Sequence, residues 1–240
     1  MAQILVDTSV RHHAVAIKGH WVDTGTVLWG GKIPVNTGYL VSIEQGHKVK
    51  VSKGGDQTRY IAALARAFMN GEHEAHSTDA LVLETMHQEV GKYAGYGYGD
   101  TSLFRDVAFS AVHHTLNGCS VLIPPDDPVN ALRQFLRDEP DSCFNEILAA
   151  LGGVVKSGKH CQDAWHLRCA MFLGMSAFLS VDTVLIGHIK SIADKELRHK
   201  LLEVVQLPVE LCNKLGILPM SDKDFDALVA ELGIFPLKEM

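Results

Sequence analysis

The chain has 240 residues, 47% of them hydrophobic and 21% charged, an ordinary composition for a folded protein that buries a core. Its apolar runs fall far short of the roughly 20 residues of a membrane-spanning helix, and MAQILVDTSV lacks the basic lead of a secretory signal, so neither a span nor a signal is expected. A formal charge of −6 argues against a broad nucleic-acid surface, so a polyanionic ligand has to be met locally or through metal ions.

The 5 cysteines, odd in number and without a C-x-x-C pair, suggest neither a disulfide framework nor a zinc site, and the expected location is a reducing cytoplasm. The 13 histidines are scattered, with no H-E-x-x-H or similar ligand spacing.

In chain order, QILV, residues Gln3 to Val6, reads as a first strand that stops at Asp7. From His20 to Val51, β-branched and aromatic residues alternate with Gly and Asn turns, which predicts a β-rich insertion of two or three short antiparallel strands inside one domain spanning residues 1–240. DQTRYIAALARAFMNG predicts a helix capped by Asp56 and stopped by Gly71, with Ile61, Leu64, Ala65 and Phe68 on one face. STDALVLETMHQEVG predicts a second helix beginning at Ser77 to Ala80. KYAGYGYGD is a surface loop or, functionally, a base-stacking platform. TSLFRDVAFSAVHHTLNG reads as a helix feeding the strand CSVLI, and two further helices follow, near Val129 to Arg137 and Ser142 to Leu151. The alternation predicts an α/β fold with a central parallel sheet covered by helices.

KHCQDAWHLRCAMFLGMSAFLSVDT holds the most informative spacing. A helix from Gln162 to Leu173, stopped by Gly174, rises about 17 Å. A strand from Ser176 to Val181 returns about 20 Å. Asp163, in the first helical turn, and Asp182, just past the strand, therefore meet at one end of the domain. Asp7 also follows a strand, and parallel strands share the carboxyl edge at which open α/β folds bind ligands. Glu84 in LVLET is a fourth candidate, with Glu89 its competitor.

Each acid has an ordinary explanation, since Asp at a helix start caps N–H groups and Asp-Thr is common strand-to-helix chemistry. Together they are costly: like charges about 4 Å apart repel by roughly 4 kcal/mol at an effective dielectric near 20. A cation is expected among them, and an all-oxygen donor set suits Mg²⁺ or Mn²⁺ rather than zinc.

These stretches resemble the PIN-domain nucleases. ILVDTSV resembles that family's first strand and acid, LVLET its helical glutamate, and CQDAWHLRCAMFLGMSAFLSVDT its aspartate-headed helix, Gly stop and acid-ended strand, while VVQLPVELCNKLGI is similar to its closing strand and proline-started helix. The resemblance covers the first ten residues and, discontinuously, Ser77 to Ile217. It implies a PIN-like fold, Asp7, Glu84, Asp163 and Asp182 as catalytic, metal-binding carboxylates with Thr8 and Ser9 beside them, and a metal-dependent ribonuclease acting on RNA, with DNA the other candidate substrate. The chain departs from the pattern where RHHAVAIKGHW leads into the β-rich insertion rather than into a helix. The insertion is expected either to offer a surface to a homodimer partner or an inhibitory protein, or to pack on the core of its own domain.

Two other readings stay open. One is a non-catalytic binding or assembly module on the same fold. The other is a phosphatase of the haloacid-dehalogenase type, whose chemistry prefers a second acid where Ser9 stands.

Overall fold

The computed structural model describes residues 1–15, 17–44, 50–51, 55–86, 102–112, 141–153 and 158–233. Strand β1 (Gln3–Val6) leads into helix α1 (Thr8–His13), then strands β2 (Ile17–Trp29), β3 (Ile33–Glu44), β4 (Lys50–Val51) and β5 (Gly55–Asp56). Helix α2 (Thr58–Met69), β6 (Glu74–Thr78), α3 (Asp79–Met86) and β7 (Phe109–Val112) follow. The remainder comprises α4 (Ser142–Ala150), α5 (Gly158–Phe172), β8 (Ala177–Leu179), α6 (Thr183–Ser191), α7 (Lys195–Val204), β9 (Val205–Gln206), α8 (Pro208–Leu215) and α9 (Asp222–Gly233).

Five strands form the central sheet in the order β7-β6-β1-β8-β9, and every neighbouring pair is parallel. Side chains alternate across a strand, so β1 and β8 each feed two cores. Ile4, Val6, Ala177 and Leu179 join a cluster with α2, α8 and α9, while Leu5 and Phe178 join the opposite cluster with α4, α5, α6 and α7. Both faces are thus covered, as an all-parallel sheet requires. The expected α/β architecture is present.

Several elements fall where the sequence pattern places them. In α2 the face Ile61, Leu64, Ala65 and Phe68 is buried, and Gly71, at φ 71, ends the helix in the left-handed region. The α2 cap position is Gln57 rather than Asp56. Gly174, at φ 63, stops α5, and Pro208 opens α8.

Other elements differ from expectation. The expected helix begins at Asp79, inside the Ser77 to Ala80 range, but Ser77 and Thr78 before it end strand β6 (Glu74–Thr78), which pairs in parallel with β1 and β7 despite its polar composition. Residues 102–106 form a bridge and turns and Phe109–Val112 is a strand, so the helix expected over this stretch is not formed in its described part. CSVLI, the helix near 129–137, KYAGYGYGD and Glu89 lie outside the described residues.

The insertion is also more regular than expected. Instead of short strands, β2 and β3 pair over twelve positions in a long antiparallel hairpin of its own, starting at Ile17 rather than at His20. A brief helix, α1, does follow Asp7 before the hairpin begins. β4 and β5 make a separate two-residue pair.

Candidate functional site

The strand order reverses direction between β1 and β8: from β1 the chain adds β6 and β7 on one side, then returns to add β8 and β9 on the other. The connections after these two central strands also leave toward opposite faces, since Val10 of α1 packs in one core and Leu185 of α6 in the other. A crevice at the carboxyl edge follows from that divergence, and in open α/β sheets it is where ligands bind. Asp7 sits at its base: its N–H continues the ladder to the Leu179 carbonyl at 3.0 Å, and the residue is only 7% exposed.

Asp7 occupies the N-cap position of α1, yet its carboxylate caps no backbone N–H. It accepts hydroxyl protons instead. Ser9 donates to Oδ2 at 2.5 Å and Ser180 donates to the same oxygen at 2.6 Å. Thr8 lies 3.3 Å from Oδ1 but only 2.7 Å from Glu84 Oε2, and a hydroxyl has one proton to give. The Thr8 proton therefore serves Glu84. Among the described residues, Oδ1 is left as the Asp7 oxygen without a strong donor.

Glu84 is held from both sides. Its Oε1 lies 2.9 Å from Nε2 of His166, a residue of α5 that is 3% exposed. Burial pushes the His166 pKa down, but the Glu84 carboxylate, its hydrogen bond and the charges of Asp7 and Asp163 outweigh burial and hold the value above 6.5. The Phe178 ring, 6.2 Å away between centroids, packs beside His166. Nδ1 of His166 is buried without a hydrogen-bond partner among the described residues.

Asp163 lies one turn before His166 on α5. The helix begins at Gly158, so Asp163 is in its second turn rather than its first, and it acts on the site through its charge on His166. Asp182 has the ordinary role weighed for it: its Oδ1 accepts from the N–H groups of Val184 at 2.8 Å and Leu185 at 3.0 Å and caps α6. It stays tied to the crevice through its own N–H, which donates to Ser180 Oγ at 3.1 Å.

Asp7, Glu84 and Asp182 are linked by the contacts Glu84–Thr8–Asp7–Ser180–Asp182, and Glu84 also meets His166, one turn after Asp163 on α5. Among the described residues no group of three His, Cys, Asp or Glu side chains is gathered closely enough to hold a metal ion. The available donor atoms are carboxylate and hydroxyl oxygens, which suit a hard cation in chemistry. His166 and Ser180 lie within the CQDAWHLRCAMFLGMSAFLSVDT stretch, but only the structure shows what they do. Cys169 and Cys212 are held by burial as neutral thiols, with pKa values pushed up to about 12, and supply no nucleophile.

The fold and this edge define an α/β protein with an acidic crevice at its strand switch point. Comparison with known protein families, with curated proteins and with solved structures finds no match. No helix among the described residues is long and apolar enough to cross a membrane.

Proposed function

We propose that the chain is a PIN-like, divalent-metal-dependent phosphodiesterase that hydrolyses RNA. The observation that carries this reading is the state of Asp7 at the switch point: a buried carboxylate whose Oδ2 is locked by two serine hydroxyls while Oδ1 is left for a ligand. A capping aspartate would spend its oxygens on backbone N–H groups, as Asp182 does.

Asp7, Glu84, Asp163 and Asp182 are the residues that would hold Mg²⁺ or Mn²⁺. When bound, such an ion supplies Lewis acidity toward a phosphate oxygen and toward water. Ser9 and Ser180 fix the Asp7 rotamer, and Thr8 and His166 fix Glu84 in the same way. The locally supplied positive charge also answers the objection raised by the net charge of −6, because a polyanion then meets the crevice rather than the whole surface.

A second reading, the non-catalytic module, draws on one observation: both Glu84 oxygens already have protein partners. The test is titration calorimetry with Mn²⁺ alongside cleavage of single-stranded RNA, with and without chelator, for the wild type, Asp7→Asn and Asp163→Asn. The proposal expects Mn²⁺ binding and chelator-sensitive cleavage, both abolished by either substitution while circular dichroism is unchanged. A folded protein that neither takes up Mn²⁺ nor cleaves RNA leaves the module reading, and unchanged turnover in Asp7→Asn refutes the site.

A further inference from the structure

The carboxylates of the crevice are held by hydroxyl and N–H donors in a way that limits how many oxygens each can offer. Asp7 Oδ2 lies 2.5 Å from Ser9 Oγ and 2.6 Å from Ser180 Oγ. The two hydroxyls are 3.3 Å apart, and each also accepts a backbone N–H, from Val181 at 3.2 Å onto Ser9 and from Asp182 at 3.1 Å onto Ser180. A hydroxyl has one proton to give. Each lies closer to Asp7 than to the other, so both protons point at Oδ2. Ser180 is fully buried and Asp7 is 7% exposed, which keeps water from taking the place of their bond.

Glu84 and Asp182 are committed in the same manner. Thr8 and His166 take up Oε2 and Oε1 of Glu84, and the N–H groups of Val184 and Leu185 take up Oδ1 of Asp182. For none of these three acids can both oxygens turn to one ion without a hydrogen bond being broken.

We propose that Ser9 and Ser180 are positioning residues that make the crevice select Mg²⁺ over Ca²⁺, by holding Asp7 to a single ligating oxygen. The inference rests on the metal-dependent reading above and adds which ion the chain prefers. Ca²⁺ takes roughly 6–8 oxygens at about 2.3–2.6 Å and commonly grips a carboxylate through both of its oxygens. Mg²⁺ demands octahedral geometry at about 2.0–2.1 Å, keeps several waters and needs only one or two carboxylates. A loose cluster of acids favours Ca²⁺, because Mg²⁺ gives up water reluctantly. A cluster whose oxygens are tied one by one reverses that preference.

The experiment is calorimetric titration of the full chain with Mg²⁺ and, separately, with Ca²⁺, for the wild type, Ser9→Ala, Ser180→Ala and the double variant. Circular dichroism checks each fold. The wild type is expected to bind Mg²⁺ about ten-fold or more tighter than Ca²⁺, the equivalent of one hydrogen bond to a charged group. Each single variant narrows that ratio, and the double variant narrows it by about ten-fold, because Oδ2 is released to Ca²⁺. Loss of packing alone would weaken both ions together and leave the ratio unmoved. Ser9 is half-buried, so Ser9→Ala carries the comparison where Ser180→Ala fails to fold. Ca²⁺ bound as tightly as Mg²⁺ by the wild type, or an unmoved ratio in the folded variants, overturns this inference and leaves the metal-dependent reading standing. Binding of neither ion by the wild type overturns both.

Discussion

The carboxyl edge of the sheet and the β2–β3 hairpin are built on opposite principles. Around Asp7 the decisive contacts join residues far apart in sequence, such as Thr8 to Glu84 and Asp7 to Ser180, and the partners are held by cores on both sides of the sheet. In the hairpin the ties are local: Thr24 bonds Thr37 at 3.1 Å, Thr26 bonds Asn36 at 3.0 Å, and the strands pair in register with only the bulge between Asp23 and Gly25 interrupting them. A change in the sheet should therefore spread to the site, whereas a change in the hairpin should stay in the hairpin.

The largest expected effect tests that spread. Phe178 is fully buried on β8 and packs beside His166, so Phe178→Ala is expected to cost about 3–5 kcal/mol in denaturant unfolding and to loosen the His166–Glu84 contact. A loss below 1 kcal/mol would show that the sheet does not anchor the edge. Next, Ser180→Ala removes a hydrogen bond to a buried carboxylate and is expected to cost about 1.5–3 kcal/mol. The same unfolding measurement checks it, and a neutral result would mean that Ser9 alone holds Asp7.

A smaller effect comes from acid. Burial tends to raise the Asp141 pKa, yet the Phe144 N–H and the Arg168 guanidinium hold it below 3.8. A depressed carboxylate gives its full stabilisation above its unfolded value and loses it as pH falls through the folded one. Stability is thus expected to decline below about pH 3.8 in part through this group, and Asp141→Asn, which keeps the cap but loses the ion pair with Arg168 at a cost of about 1 kcal/mol at neutral pH, should flatten that portion of the acid curve. Identical acid curves for the two proteins would remove Asp141 from the account. The smallest effect belongs to the outer end of the hairpin: Leu28, 63% exposed, should change stability by no more than about 0.5 kcal/mol on substitution to Ser, measured by the same unfolding. A larger loss would mean that the hairpin packs on its own domain.

The legible parts of the sequence were those in which pattern and burial agree. ILVD, the amphipathic α2, the Gly174 stop and the Pro208 start follow from periodicity and backbone chemistry alone. Strand β6 was not legible because three of its four buried residues, His76, Ser77 and Thr78, are polar, and Ser77 and Thr78 read as a helix start. Leu103, Phe104 and Val107 mimic a helical face, but they bury themselves from turns. In the candidate site the acids were expected to meet through matched element lengths, whereas β8 is Ala177–Leu179 rather than Ser176–Val181 and α5 begins at Gly158 rather than at Gln162. The role of Asp182 as a cap, the serine lock on Asp7 and the His166–Glu84 contact depend on side-chain geometry that spacing does not encode.

The position of β1 between β6 and β8 also sets an order of events during synthesis. One of its edges has no partner until Ala177 to Leu179 has been made, and at about 5–20 residues per second that is roughly 10–35 s after the first strand leaves the ribosome. The hairpin, whose contacts are local, can close in about 1–10 μs once its residues have emerged. A nascent chain thus carries a finished hairpin long before it has a crevice, while Asp7 still waits for Ser180.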